Sequence, residues 1–595
     1  MHASRSIATL LAGTAIVSAQ ENLTPVPVPA DPPTLEEMMD PNLGVPQPPP
    51  PPPPQQQLPS PSQNMAVNLV VLLVKKGQLS QEEGLALIQQ AEAEAHAAQA
   101  AAAVPPPPVK DGDVRVNYVP QTVRNGIRDE IKQELMAEVR DEKWSRPAAP
   151  EWTERIRPFG DIRGRYEGIF FGDGNDNTGS FPNFNAINTG APFDTSGTLF
   201  SPQYNVDQDR NRARLRVRLG ADLMLGDGFT GGIRVATGDS NSPVSPNQSL
   251  GGSGGNFSKY SIWLDRAFLA YDVLPSEENE FSVLVGRFDN PFFSSEVMWD
   301  DDIGFDGLAA RGKYKLNDQL TVFGAGGLFP VYNTDFNFAS NQPSKFESKD
   351  KWLYGAQAGL EWKITKDLIA KFGTAYYDFD GIEGELSTPF VPLNPTDAGN
   401  TDATRPSFAQ RGNTYMALRN IIPTAANDFG TKYQYQYYGL ATPFRVLTAT
   451  GRLDYAAYDP IQFALTGEYM KNLAFDAAEI GAKAVNNRVG PRLGSFDGGD
   501  TAWNLAFQFG RTALAERGDW VAGIGYRYVE SDAVVDGFTD SDFGGGGTNL
   551  QGFTLGGVMA VSPRVRVGLK WMSSDEVSGP PLSTDTLQFD INAKF

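Results

Sequence analysis

The sequence predicts an all-β protein: a transmembrane, antiparallel, up-and-down β-barrel of about sixteen strands, preceded by an N-terminal α-helical region. Three observations predict it. Residues Leu587 to Phe595 alternate without a break, with Leu587, Phe589, Ile591, Ala593 and Phe595 on one face and Gln588, Asp590, Asn592 and Lys594 on the other. That is the period of a strand with one face in lipid and one in water. Short turns and long polar loops also alternate strictly along residues 151–595. Finally, mean hydropathy is only -0.33 although the chain holds 9 Trp, 20 Tyr and 36 Phe. Apolar surface is thus distributed by alternation instead of being gathered into runs.

From the N-terminus, Arg5, the apolar stretch Ile7 to Val17 and the small residues Val17-Ser18-Ala19 read as a signal peptide over 1–19. Residues 20–62 are proline-rich, with an unbroken run from Pro48 to Pro54, and read as an extended linker. A helical hairpin is expected over 63–103, where Gly77 can end a first helix and Ser80 with Glu83 forms a capping box for a second. Residues 104–150 hold a further linker and a charged helix from about Gln121 to Lys143. Its apolar residues Val123, Ile127, Ile131, Leu135 and Val139 form either a short self-association stalk or a face packed on the barrel. The most apolar stretch after the signal, Met65 to Val74, is too short for a spanning helix, which needs about 20 residues.

Barrel strands are expected to start near 157, 207, 229, 259, 280, 307, 320, 351, 368, 444, 462, 501, 519, 550, 565 and 584. Turns such as Gly226-Asp227-Gly228, Asn317-Asp318 and Ser562-Pro563-Arg564 follow the even-numbered strands. Long loops follow the odd-numbered ones, the longest at 381–434. An even strand number returns both ends to the periplasmic side, which would place the N-terminal helices there. Whole faces of aromatic and aliphatic residues, such as Trp503, Leu505, Phe507 and Phe509, argue against a soluble sandwich with polar outer faces. Tyr166, Trp362, Tyr528, Trp571 and Phe595 stand where interfacial aromatic girdles belong.

Composition excludes several functions. There is no cysteine, and the two histidines are His2 and His96, both before the barrel. Thiolate metal sites and serine–histidine catalysis are therefore excluded, and no catalytic residue or cofactor is expected. A net charge of -21 argues against a nucleic-acid partner, because phosphate recognition needs a positive footprint.

The sharpest chemical feature is an arginine ladder on strand two: Arg210, Arg212, Arg214, Arg216 and Arg218 share one face. Each would cost about 2–4 kcal/mol at the lipid midplane, so the ladder must look into the lumen. Arg163, Arg165 and Arg234 extend the basic wall to strands one and three. The loop at 289–306 carries Asp289, Glu296, Asp300, Asp301, Asp302 and Asp306 with the anchors Phe292, Phe293 and Trp299. Folded inward, it would set carboxylates against the arginines and narrow the passage; left outside, it would be a solvated loop. Asp300-Asp301-Asp302 and Asp173-Gly174-Asn175-Asp176-Asn177 are also calcium-ligand material, without a full calcium-loop spacing.

Three stretches carry a resemblance: Asn68 to Leu73 through Gly77, Gly286-Arg287-Phe288-Asp289-Asn290-Pro291-Phe292, and Trp299-Asp300-Asp301-Asp302 through Gly307. With them the chain resembles a family of outer-membrane porins that bear a periplasmic coiled-coil region, and it is similar to general and phosphate-selective porins. The resemblance implies passive diffusion of small hydrophilic solutes or ions through a water-filled barrel, constricted by residues 289–306. It further implies a homotrimer in outer-membrane lipid and recognition of Phe595 by the outer-membrane assembly machinery. The lysine-rich constriction of phosphate-selective members is not evident. The alternative is structural: an anchor that tethers the membrane to the cell wall through the periplasmic helices.

Overall fold

A computed structural model describes Gln89 and residues 155–595, apart from 198–199, 240, 253, 277, 335–345, 490–493 and 512. The signal peptide, the proline-rich linker, the helical hairpin apart from Gln89, and the charged helix expected over 1–150 lie outside the described residues.

Sixteen long antiparallel strands form a closed barrel. They are β1 (Ile156–Phe171), β2 (Arg210–Gly226), β3 (Phe229–Ala236), β4 (Trp263–Pro275), β5 (Asn279–Asp289), β6 (Gly304–Lys315), β7 (Leu320–Tyr332) and β8 (Lys351–Lys363). The second half comprises β9 (Leu368–Asp380), β10 (Phe444–Tyr458), β11 (Ile461–Asn472), β12 (Thr501–Gly510), β13 (Trp520–Val529), β14 (Leu550–Ser562), β15 (Val565–Glu576) and β16 (Ser583–Lys594). Each strand pairs with its sequence neighbours, and β1 pairs with β16 through a register that runs from Asp161↔Lys594 to Phe171↔Thr584. Closure leaves no edge strand, as hydrocarbon requires, because an unpaired backbone group there has no water to bind.

At the seam the last residue acts through its backbone. Phe595 donates its N–H to the Gly160 carbonyl and accepts the Gly160 N–H in return, both at 3.0 Å. Its ring lies over Gly160, where a Cβ would stand 2.6 Å from the ring carbon. Only a glycine leaves that room.

Side-chain alternation divides the wall. Leu505, Phe507, Ile524, Leu555, Leu569 and Ile591 are exposed on the outer face, while Glu468, Gln357 and Gln588 are buried on the inner one. The strand expected to start near 259 starts at Trp263, and its parity breaks at one place. Arg234 pairs with Arg266 but Val235 pairs with Leu264, so Asp265 is an extra residue in a β-bulge. The bulge turns a carboxylate that would otherwise face lipid toward Arg234, at 2.6 Å.

Long loops gather at one end and interlock. Helix α1 (Phe184–Thr189) places Asn188 so that its amide group donates to the Tyr438 carbonyl at 2.8 Å and accepts the Tyr438 N–H at 3.0 Å. Within the loop after β9, Tyr415–Ala417 pairs with Tyr438–Leu440, and Met416 bridges to Ala484 beside α2 (Ala477–Lys483). Asn413 donates to the carbonyls of Ser531 and Val534, at 2.6 and 2.8 Å. Asp532 accepts both the N–H and the hydroxyl of Thr414, at 2.8 and 2.6 Å. The loops thus form a packed cap with Leu418, Leu440 and Ala441 fully buried.

The division of faces is directly testable on one strand. Phe507→Arg, on the lipid face of β12, is expected to lower unfolding free energy in vesicles by about 2–4 kcal/mol, and neighbouring Gln508→Arg, on the water face, by less than about 1. Urea titration in lipid vesicles measures both, and equal losses would contradict the assignment of faces.

Candidate pore and inward loop

Odd-numbered residues of β1 face the lumen: Asp161, Arg163, Arg165 and Glu167, in register with Arg218, Arg216, Arg214 and Arg212 of β2. The ladder therefore lies on the inner face and meets carboxylates from its own neighbour. Arg212 and Arg214 reach Glu167 at 2.5 and 3.3 Å. Asp161 is shared by Arg216 at 2.8 Å and Arg218 at 2.6 Å. Arg165 lies 2.7 Å from both Asp590 of β16 and Asp542 in the loop after β13. Arg163 instead donates to the Asn247 side chain at 2.6 Å. Arg210, across from Ile169 at the loop end of β2, is exposed.

A second network follows on β3 and β4. Arg234 contacts Asp265 at 2.6 Å and Asp289 at 3.3 Å, and Arg266 contacts the same two carboxylates at 2.9 and 2.7 Å. Arg266 also donates to the Ile303 carbonyl at 2.7 Å, holding the end of the loop that follows β5.

That loop, residues 290–303, lies inside the barrel. Phe293 donates its N–H to the Gln357 side chain at 2.7 Å and accepts from the same amide group at 2.8 Å. The Ser295 N–H donates to Glu468 of β11 at 2.8 Å. The Asp300 N–H donates to the Phe538 carbonyl, and the Asp540 N–H to the Glu296 carbonyl, both at 2.9 Å. Apolar anchoring matches these bonds. Trp299, 2% exposed, packs against Phe305, Tyr377, Phe379 and Phe538. Phe292 meets Phe305, Phe329 and Tyr377 in edge-on contacts. Rings of this size bury enough apolar area to offset the ordering of a loop.

The loop's acidic residues divide among different surroundings. Asp302 reaches Arg218 at 3.1 Å and Arg216 at 3.7 Å, so it touches the ladder. Asp289 lies in β5 and binds Arg234 and Arg266. Asp306 lies in β6 and pairs with Arg287 at 2.6 Å, apart from the ladder. Asp300 accepts the N–H groups of Asp302 and Ser541 at 2.8 and 3.1 Å. Burial, with the nearby Asp540 and Asp302 carboxylates, pushes its carboxyl up to about 9. Glu296 is pushed up to about 7, first by Asp540 and then by burial, against the opposing pull of Lys570 and Arg527. Among the described residues no group of three acidic or histidine side chains is placed to hold a metal ion.

Beside β10–β16 remains an open space of about 480 Å³. Glu296 and Asp301 line it from the loop, and Arg452, Arg527, Lys570 and Asp590 line it from β10, β13, β15 and β16. The carboxylate partners on β1 were readable in the sequence, since Asp161 and Glu167 share the parity of Arg163 and Arg165. Arg452, Arg527 and Lys570 are single charges on strands, and only the fold brings them to one open space.

A family model described as Putative porin matches residues 63–595. The chain belongs to that family. It is a channel of the bacterial outer membrane and not an enzyme. No curated protein matches it. Among solved structures, OprB of Pseudomonas putida in its high-pH form is 13% identical, covering 74% of this chain and 95% of that one, with a TM-score of 0.39. The outer membrane channel DcaP of Acinetobacter baumannii is 12% identical over 74% of this porin and 97% of that chain, TM-score 0.32. OmpF of Salmonella typhi, in complex with daunomycin, is 10% identical over 74% and 97%, TM-score 0.34.

The raised carboxyls give a pH dependence with a definite sign. A carboxyl whose folded value lies above its unfolded value near 4 binds more protons when folded. Its contribution to loop stability is therefore full below about pH 4 and declines as pH rises through the folded values of about 7 and 9. Hydrogen exchange of residues 293–303 is expected to speed up from pH 5 to 9, after correction for intrinsic rates. Glu296→Gln with Asp300→Asn should flatten that rise.

Proposed function

We propose that this porin passes small hydrophilic solutes and ions by diffusion, with residues 290–303 narrowing the barrel to a passage beside β10–β16. The carrying observation is the loop's anchoring to inward side chains of separate strands, Gln357 and Glu468, at 2.7 and 2.8 Å. A loop held at both walls leaves solutes the space lined by Glu296, Asp301, Arg452, Arg527 and Lys570.

On this reading the two sides of the loop have different duties. The ladder's guanidiniums from Arg212 to Arg218 are tied to Glu167, Asp161 and Asp302, and that of neighbouring Arg165 to Asp542 and Asp590, so their field is largely cancelled at close range and they brace the wall and the loop. Arg452 and Arg527 are also paired, with Asp454 and Asp540 at 2.7 and 2.8 Å. Lys570 has no such pair among the described residues and faces the loop carboxylates across the passage. The field there runs transverse to the flow and orients dipolar solutes. Selectivity between simple ions is then weak and set by Lys570 more than by the ladder. Assembly as a trimer, and recognition of Phe595 during insertion, remain part of the same proposal.

Planar-bilayer recording tests the reading. Stable conductance steps are expected, with Lys570→Gln shifting the reversal potential in a salt gradient toward cation preference by about twofold in permeability ratio, or ~0.4 kcal/mol. Arg216→Gln should shift it less. A larger effect from the ladder would return selectivity to β2.

A further inference from the structure

On the turn side of the inward loop lies a second cavity, of about 460 Å³, outside the passage described above. Its wall is formed by β5–β9 and by the underside of the loop. Phe293 comes from the loop, Phe323 from β7, Arg311 from β6 and Lys371 from β9. Two features distinguish it from a generic polar lumen.

The first is cationic charge without a contact ion pair. Lys313, also in the lining, is neutralised by Glu280 at 2.8 Å. Arg311 and Lys371 form no ion pair among the described residues. Glu361 stands across the strand pair from Lys371, in register with it, but does not line the cavity. Arg452, the other register neighbour of Lys371, is bound to Asp454.

The second is aromatic surface at the same place. The Lys371 ammonium lies 4.3 Å from the Phe293 ring centroid and 4.7 Å from that of Phe323, and the two rings stand edge to face at 6.0 Å. Ring faces attract the cation and restrict its position without cancelling its charge as a carboxylate would. The Gln357 amide, bonded to Phe293 on both its N–H and carbonyl, fixes the loop side of the cavity.

We propose that this cavity is a binding subsite for small aromatic carboxylates. The carboxylate would lie between Arg311 and Lys371, where charge-assisted hydrogen bonds are strongest. The ring of the solute would lie on Phe293 and Phe323. A bare anion gains only the first interaction and a neutral ring only the second, so the site favours a solute that carries both. Being on the turn side of the loop, it would hold such a solute after the narrow passage and before release.

The inference goes beyond the channel reading, and its test does not require conduction. Benzoate titrated calorimetrically into the detergent-solubilised full-length protein is expected to bind saturably in the millimolar range, ~1 mM. Acetate and benzyl alcohol are expected to bind at least about tenfold more weakly. Arg311→Gln and Lys371→Gln should each weaken benzoate by about tenfold, Arg311→Lys should restore part of the loss, and heat-modifiable gel migration checks that each barrel is folded. Phe323→Leu, which keeps both cations, should narrow the gap between benzoate and acetate. No saturable benzoate heat, acetate or benzyl alcohol binding as tightly as benzoate, or full benzoate affinity in both charge variants would overturn the proposal. A barrel silent in bilayers that still binds benzoate would count against the channel reading alone.

Discussion

Closure of the backbone is the constraint on which the rest of this molecule depends. In hydrocarbon an unpaired N–H or carbonyl has no solvent to turn to, so β1 must find β16 and the sheet must become a tube. The register from Asp161↔Lys594 to Phe171↔Thr584, continued by the exchange between Gly160 and Phe595, satisfies it. Once the tube is closed, strand alternation assigns every second side chain to water. The charges of β1, β2 and β16 are thereby concentrated on one inner wall.

Concentrated charge creates the next requirement. Guanidiniums at every second position of β2 repel one another in a partly desolvated lumen unless carboxylates stand between them. Asp161 and Glu167 each bridge two rungs of the ladder. Asp302 and Asp542 add ties from two separate loops. The basic wall is thus a structural element that binds loops as well as a lining. The inward loop touches this wall through Asp302 and leaves an open space beside β10–β16.

Much of this was legible because period-two alternation is a local signal. Fourteen-residue stretches of sequence are not needed to see that Arg212 and Arg214 share a face, and expected strand starts at 229, 320, 351, 368, 444, 501, 550 and 565 coincide with the observed ones. β4 starts at Trp263 instead of near 259, and one bulge residue, Asp265, breaks its parity. The inward loop was suggested by Phe292, Phe293 and Trp299, yet its partners Gln357 and Glu468 carry no local mark. The cap was illegible for the same reason. Asn413 and Asp532 belong to loops more than a hundred residues from each other in the case of Asn413 and Ser531, and neither loop has a repeating pattern.

The two sides of the inward loop show how one segment can divide a lumen chemically. Toward the loop end, Trp299 and Phe292 are buried with Phe305, Phe329 and Tyr377, which makes that side an apolar plug against the wall. At its tip, Glu296 and Asp301 line one open space with Lys570. On the turn side Phe293 presents a ring to Lys371. Exposed charge pairs lose strength as salt is added, the Debye length being roughly 8–10 Å near physiological ionic strength. This loop is anchored also by rings and by neutral amide bonds to Gln357, which salt does not screen, and the spaces on its two sides have distinct linings.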